Sequence, residues 1–129
     1  VKTLVSFVLK KSLIVQHCPK LTTHIMRKFI FKDSFFLTIQ EIYFYIKEDS
    51  PQNANKFKLE VKKQIEKIKR NPYSYPSIDL EDFENKEGNF RYSHFFKTFK
   101  VIYKIEMKAI VFLGVLHDKR DSKAIYNLL

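Results

Sequence analysis

Between Asn89 and Leu129 the chain carries eight basic side chains, Arg91, Lys97, Lys100, Lys104, Lys108, Lys119, Arg120 and Lys123, against three acids, Glu106, Asp118 and Asp121. Tyr92 and Tyr103 lie among them. Cations hold phosphates and aromatic faces stack bases, so this pattern suits a nucleic-acid backbone or another acidic partner. For any one of these residues, a solvated sheet edge or a core aromatic is the simpler role. His117 follows an apolar run and titrates near neutrality, which makes it a candidate proton carrier. Equally, it can be a strand-end histidine bonded to backbone.

Other reaction classes find no support. Gly88 and Gly114 are the only glycines, so there is no glycine-rich phosphate loop or nucleophile elbow, and the single cysteine, Cys18, leaves no paired-cysteine motif. His17, His24, His94 and His117 have no metal-ligand spacing, and Cys18 beside His17 is a single coincidence. No metal and no cofactor are expected.

The elements that must position these residues follow from periodicity. Arg27–Lys32 reads as a short strand. Asp33-Ser34 reads as a helix cap, and Phe35, Ile39, Ile42 and Ile46 then recur on one helical face, widened by Phe36 and Tyr43. Asp49-Ser50-Pro51 ends this helix and opens the next, with Ser50 as cap and Pro51 in the first turn. The second helix sets Ala54, Phe57, Val61, Ile65 and Ile68 on one face. Lys56, Lys62, Lys63, Lys67 and Lys69 lie on the other, among Glu60 and Glu66. Asn71-Pro72 stops it. A loop from Tyr73 to Gly88 is locally acidic, with five acids and one lysine between Asp79 and Glu87. From Asn89 the period becomes two. A pairing through Phe96-Lys97-Thr98 would put Arg91 and Lys100 in the same region of the sheet. Ala109–Leu116 is nearly all apolar, as in a central strand buried on both faces. The expected architecture is α+β: an antiparallel helical hairpin on one face of a curved, mainly antiparallel four-stranded sheet, in the order β-α-α-β-β-β.

Composition fits one domain. The chain has 129 residues, 45% hydrophobic and 29% charged, with a formal charge of +10. That balance favours acidic partners. The sequence divides into a basic extension at 1–25, which holds no acid, and a domain at 26–129 whose fold is expected not to need the extension. A lone cysteine and short apolar runs make the expected setting cytoplasmic and away from the membrane.

Four segments in this order resemble the RelE/ParE toxin family. They are Ile42-Tyr43-Phe44-Tyr45-Ile46 with Ser50-Pro51-Gln52-Asn53-Ala54; the Arg91-Tyr92 strand; Phe99-Lys100-Val101-Ile102-Tyr103; and Val115-Leu116-His117-Asp118-Lys119-Arg120-Asp121. The resemblance implies the toxin of a type II toxin–antitoxin module, associated with plasmid stabilisation, that inhibits growth until a cognate antitoxin binds it in a hetero-oligomer. It offers two targets: DNA gyrase for ParE-like members, and messenger RNA on the ribosome for RelE-like members. Arg91, Lys100, Arg120 and Tyr126 occupy positions comparable to the RNase set, but Ser93 falls where a second base would sit. The RelE-like branch implies 2′-hydroxyl attack on the adjacent phosphate, with Arg91, Lys100 and Arg120 stabilising the developing charge and Tyr126 or His117 assisting proton transfer. The long hairpin and the His-x-x-Arg-Asp ending favour the ParE-like branch. A non-toxic basic nucleic-acid-binding module is the third possibility, and an acidic, amphipathic antitoxin segment is the expected neutralising partner.

Overall fold

A computed structural model describes residues 27–80, 89–96, 98–118 and 122–129. The extension at 1–25, Lys97, Arg120 and most of the acidic stretch lie outside the described residues. Strand β1 (Lys28–Phe31) leads into helices α1 (Asp33–Asp49) and α2 (Pro51–Arg70) and a short 3-10 turn (Pro72–Ser74). Strands β2 (Phe90–Phe95), β3 (Phe99–Ile105) and β4 (Ala109–His117) follow, then helix α3 (Ser122–Leu128). The sheet order is β1-β4-β3-β2. The β2–β3 and β3–β4 pairs are antiparallel and β1 runs parallel to β4, so the four-stranded sheet is mainly antiparallel, as expected, and the β-α-α-β-β-β sequence of elements is as expected too.

Alternation explains the two layers of core. Val101, Tyr103 and Ile105 of β3 face the helical hairpin and bury with Phe35, Ile39, Phe57, Val61, Ile65 and Ile68. Ile102 faces the other way, into a second cluster with Ile78, Ala109, Val111, Leu113 and Leu116. Ala124, Ile125 and Leu128 of α3 pack onto this cluster. The C-terminal tail therefore forms a helix that covers the sheet face opposite the hairpin. A sheet this apolar on both faces needs cover on both.

A bulge changes the phase of β4. Ile102 pairs with Gly114 and Tyr103 with Phe112, leaving Leu113 as the extra residue. Before it, Ile110 and Phe112 face the hairpin; after it, Val115 and His117 do. Bulges bend the strand that carries them, which accounts locally for the curvature.

β1 ends at Phe31, and α1 takes over the exposed edge of β4. The Ser34 hydroxyl donates to the Leu113 carbonyl at 2.6 Å, and the Val115 N–H donates to the Thr38 hydroxyl at 2.8 Å. One helical turn (about 6 Å for four residues) nearly matches the two-residue repeat of a strand. Two hydroxyls four apart thus continue the ladder that β1 leaves unfinished. This corrects the expected cap: Lys32 holds the cap position without a side-chain bond, and Asp33 lies in the first turn, favourable to the helix dipole. The second cap is as expected, with Ser50 accepting from the Asn53 N–H at 3.2 Å and Pro51 in the first turn.

Two polar contacts fasten the hairpin side. The Ser93 hydroxyl donates to Gln64 Oε1 at 2.7 Å, both residues buried. The fully buried Tyr103 donates its hydroxyl to the Pro72 carbonyl at 2.6 Å. Tyr103→Phe keeps the ring but strips a buried carbonyl of its donor. It should lower unfolding free energy by about 1–3 kcal/mol in chemical denaturation, with an unchanged slope against denaturant.

Candidate functional site

The strand register sorts the candidate residues. Arg91 lies opposite Tyr103, which faces the hairpin core, so Arg91 projects to the hairpin side. There its Nη1 donates to the Tyr73 carbonyl at 3.1 Å and the Tyr75 carbonyl at 2.7 Å. Its guanidinium also lies 5.2 Å from the centre of the Tyr73 ring. Arg27 approaches the same ring at 5.4 Å and donates to the Tyr73 hydroxyl at 3.2 Å. Arg91 is thus a clamp on the chain segment that leaves α2.

Lys100 lies opposite His94 on β2 and Leu116 on β4, and faces the α3 side. Arg91 and Lys100 occupy paired strands, but on opposite faces of the sheet. The expectation that they share one surface is corrected by this alternation. His117, opposite Phe99, returns to the hairpin side, its ring 5.5 Å from that of Phe99. It borders a groove of about 480 Å³ with Glu41, Ile42, Tyr45, Ile46 and Phe99. Tyr126 is partly exposed on α3. Arg120 lies outside the described residues. Ser93, where the RNase branch carries a second base, is buried against Gln64, a position that leaves no room for a solvated cation.

A different set of polar groups converges on the α3 side. The Asp118 N–H donates to the Thr98 carbonyl, which turns the aspartate back over the start of β3. Its Oδ1 accepts from His94 Nε2 at 2.8 Å and from the Lys100 ammonium at 3.2 Å. The Lys100 ammonium also sits 4.9 Å from the centre of the Tyr92 ring, and the Tyr92 and His94 rings meet edge to face. The hydrogen bonds from His94 and then Lys100 hold the Asp118 carboxyl below its ordinary value of 3.8. An ionised carboxylate only accepts, so Nε2 carries the proton and Nδ1 is left to exchange one. A histidine oriented by a carboxylate beside a cation is an arrangement able to move a proton next to a phosphate. The sequence alone points to Lys100 but not to His94 or Asp118, because the two lie 24 residues apart and only the strand pairing brings them together. The available signal was the alternation of Phe90, Tyr92 and His94, set against Lys100 through the short turn.

The arrangement carries a testable titration. Asp118 should titrate below 3.8 by carboxyl NMR, and His94→Ala should move it up towards that ordinary value. The sign follows from linkage. A depressed folded value contributes stability above the unfolded value, and that contribution is lost as pH falls through the folded one. An Asp118 titration unmoved by His94→Ala would disprove the contact.

Among the described residues, no cluster of His, Cys, Asp or Glu could hold a metal ion, and no helix is long and apolar enough to cross a membrane.

The α+β fold, with its β-α-α-β-β-β order and hairpin-backed sheet, is that of the RelE/ParE toxin class. Residues 29–122 match the family described as ParE toxin of type II toxin-antitoxin system, parDE. The match covers well over half the chain, and the chain belongs to that family. Membership implies an antitoxin partner. No curated protein matches the chain.

Proposed function

We propose that this chain inhibits growth by poisoning DNA gyrase, and that its antitoxin neutralises it in a hetero-oligomer in the cytoplasm. One observation supports the choice of target: Arg91, Lys100 and His117, three of the residues that messenger RNA cleavage would use, do not meet on one surface. Arg91 is committed to the Tyr73 and Tyr75 carbonyls on the hairpin side, Lys100 faces the α3 side, and His117 is back on the hairpin side. Phosphoryl chemistry needs its cations and proton carriers around one reacting phosphate. A gyrase poison needs only a complementary surface.

The test is induction of the chain without antitoxin, with DNA supercoiling and messenger RNA followed together. Growth arrest with relaxed or cleaved DNA and intact messenger RNA is the expected outcome. Ribosome-dependent cleavage with normal supercoiling would overturn it. Absence of arrest from a folded chain would leave the non-toxic binding module.

A second reading has its own observation. His94, Asp118 and Lys100 beside Tyr92 form a compact acid–base and cation set on the α3 side. An RNase of this family would then act through His94 rather than through Arg91 or His117.

A further inference from the structure

The charge of α2 is not explained by the needs of the helix. Its 20 residues hold seven bases, Lys56, Lys58, Lys62, Lys63, Lys67, Lys69 and Arg70, against two acids, Glu60 and Glu66. The helix dipole favours acids in the first turn and bases in the last. The last turn complies, with Lys67, Lys69 and Arg70, but the first turn holds no acid. Lys63 and Lys67, and likewise Lys58 and Lys62, stand four residues apart, a like-charge spacing that mildly destabilises a helix. Lys69 is a separate case. Its side chain is buried over the Phe29 ring and paired with Glu66 at 3.3 Å, so it belongs to the packing.

The remaining cations form one surface. Lys56, Lys63, Lys67 and Arg70 are exposed, and steps of seven, four and three keep them on one side of the helix. They span roughly 21 Å of helix axis. Lys62, Lys63, Lys67 and Arg70 also border a shallow groove of about 400 Å³ with Leu59 and Glu66. This face lies opposite the Phe57, Val61 and Ile68 stripe that packs on the sheet, so it points away from the domain.

The geometry points to a docking surface for the phosphate backbone of duplex DNA along the outer face of α2. Charge complementarity selects a polyanion. A duplex presents one charge per about 1.7 Å of its axis, so long flexible lysines meet phosphates without a fixed register. Single-stranded nucleic acid is held by aromatic stacking as well as charge, and no aromatic residue stands on this face. An acidic protein segment would need buried aromatic or apolar anchors, and the face offers only Leu59. Lys63 pairs with Glu60 at 3.4 Å on the exposed surface, a weak contact that a phosphate can replace. On the sheet, Lys100 and Lys104 pair with Asp118 and Glu106 and cover aromatic rings. The surface goes beyond the gyrase reading and does not depend on it, because its binding is measured on DNA alone.

The experiment uses the full chain and a labelled duplex of about 20 base pairs, titrated by fluorescence anisotropy between about 50 and 200 mM salt. The variant Lys63→Gln, Lys67→Gln, Arg70→Gln is compared with Lys32→Gln, Lys108→Gln, Lys123→Gln, which removes the same charge elsewhere. Circular dichroism establishes that both remain folded. If three phosphate contacts are lost, the helix variant should bind on the order of 10²-fold more weakly at 0.1 M salt. The slope of log affinity against log salt should shrink by about three. The control variant should change far less. Equal losses in both variants, or unchanged binding by the helix variant, would overturn the proposal. So would tighter binding to a single strand of the same length, or displacement of the duplex by an acidic peptide at equal charge concentration.

Discussion

Phe57→Ala should destabilise the protein by about 3–5 kcal/mol, the largest loss expected from any single truncation on α2. Phe57 is fully buried, with its ring 5.1 Å from that of Phe99 and 6.0 Å from that of Phe95. The site joins helix and sheet at the β2–β3 turn. Neither side can close over the gap without moving a strand, so both the transfer term and the cavity term are lost. For a domain of this size the melting temperature should fall on the order of 15–25 °C. Tyr45→Ala removes a ring of similar size from a residue that is 73% exposed, and should shift stability by no more than about 0.5 kcal/mol. Urea denaturation of the two variants measures the contrast. A cost below about 1 kcal/mol for Phe57→Ala would mean that this face of α2 is not the buried one.

That contrast rests on what the sequence made legible. Steps of three and four along Phe57, Val61, Ile65 and Ile68 give a helical face with no other interpretation, and the apolar run at Ala109–Leu116 gives a strand buried on both sides. What remained hidden depended on contacts distant in sequence. Nothing local in Ser34 or Thr38 says that their hydroxyls complete the edge of β4, because the partners lie 79 and 77 residues away. The tail from Ala124 is too short to show a period, and only the apolar sheet face beneath it makes it a helix. Gly114 belongs to the same docking. A Cβ there would stand 2.6 Å from the tip of Leu128, so the close approach of α3 depends on a glycine that, in sequence alone, is only one member of the apolar run.

The separation of Arg91 from Lys100 was hidden for a different reason. Pairing through Phe96-Lys97-Thr98 brings Phe95 opposite Phe99, and two-residue alternation then fixes every other pair. Arg91 must fall opposite Tyr103 and share its face, while Lys100 must fall opposite His94. Grouping Arg91 with Lys100 by charge ignored the alternation that the sequence already displayed. The bulge at Leu113 added a second obstacle, because it moves His117 to the hairpin side and its one mark in the apolar run is the neighbouring Gly114.

The register also decides which variant separates the two targets. Arg91→Glu with Arg120→Glu looks suited to the purpose but is confounded. A carboxylate at 91 would face the Tyr73 and Tyr75 carbonyls that the guanidinium now satisfies, so loss of toxicity could come from a loosened fold. His94→Gln with Lys100→Gln avoids this. His94 is half-exposed and Lys100 partly exposed, both on the α3 side, and neither contributes to the hairpin core. If the chain poisons gyrase, the double variant should arrest growth and alter supercoiling as the parent does. If it cleaves messenger RNA through the His94–Asp118 pair, loss of the proton carrier alone should slow cleavage about 10²–10⁴-fold, enough to abolish arrest. Plating efficiency on induction, with a melting curve to establish folding, reads the difference. Survival of cells that contain the folded double variant would refute the gyrase assignment and move the function to the sheet face beneath α3.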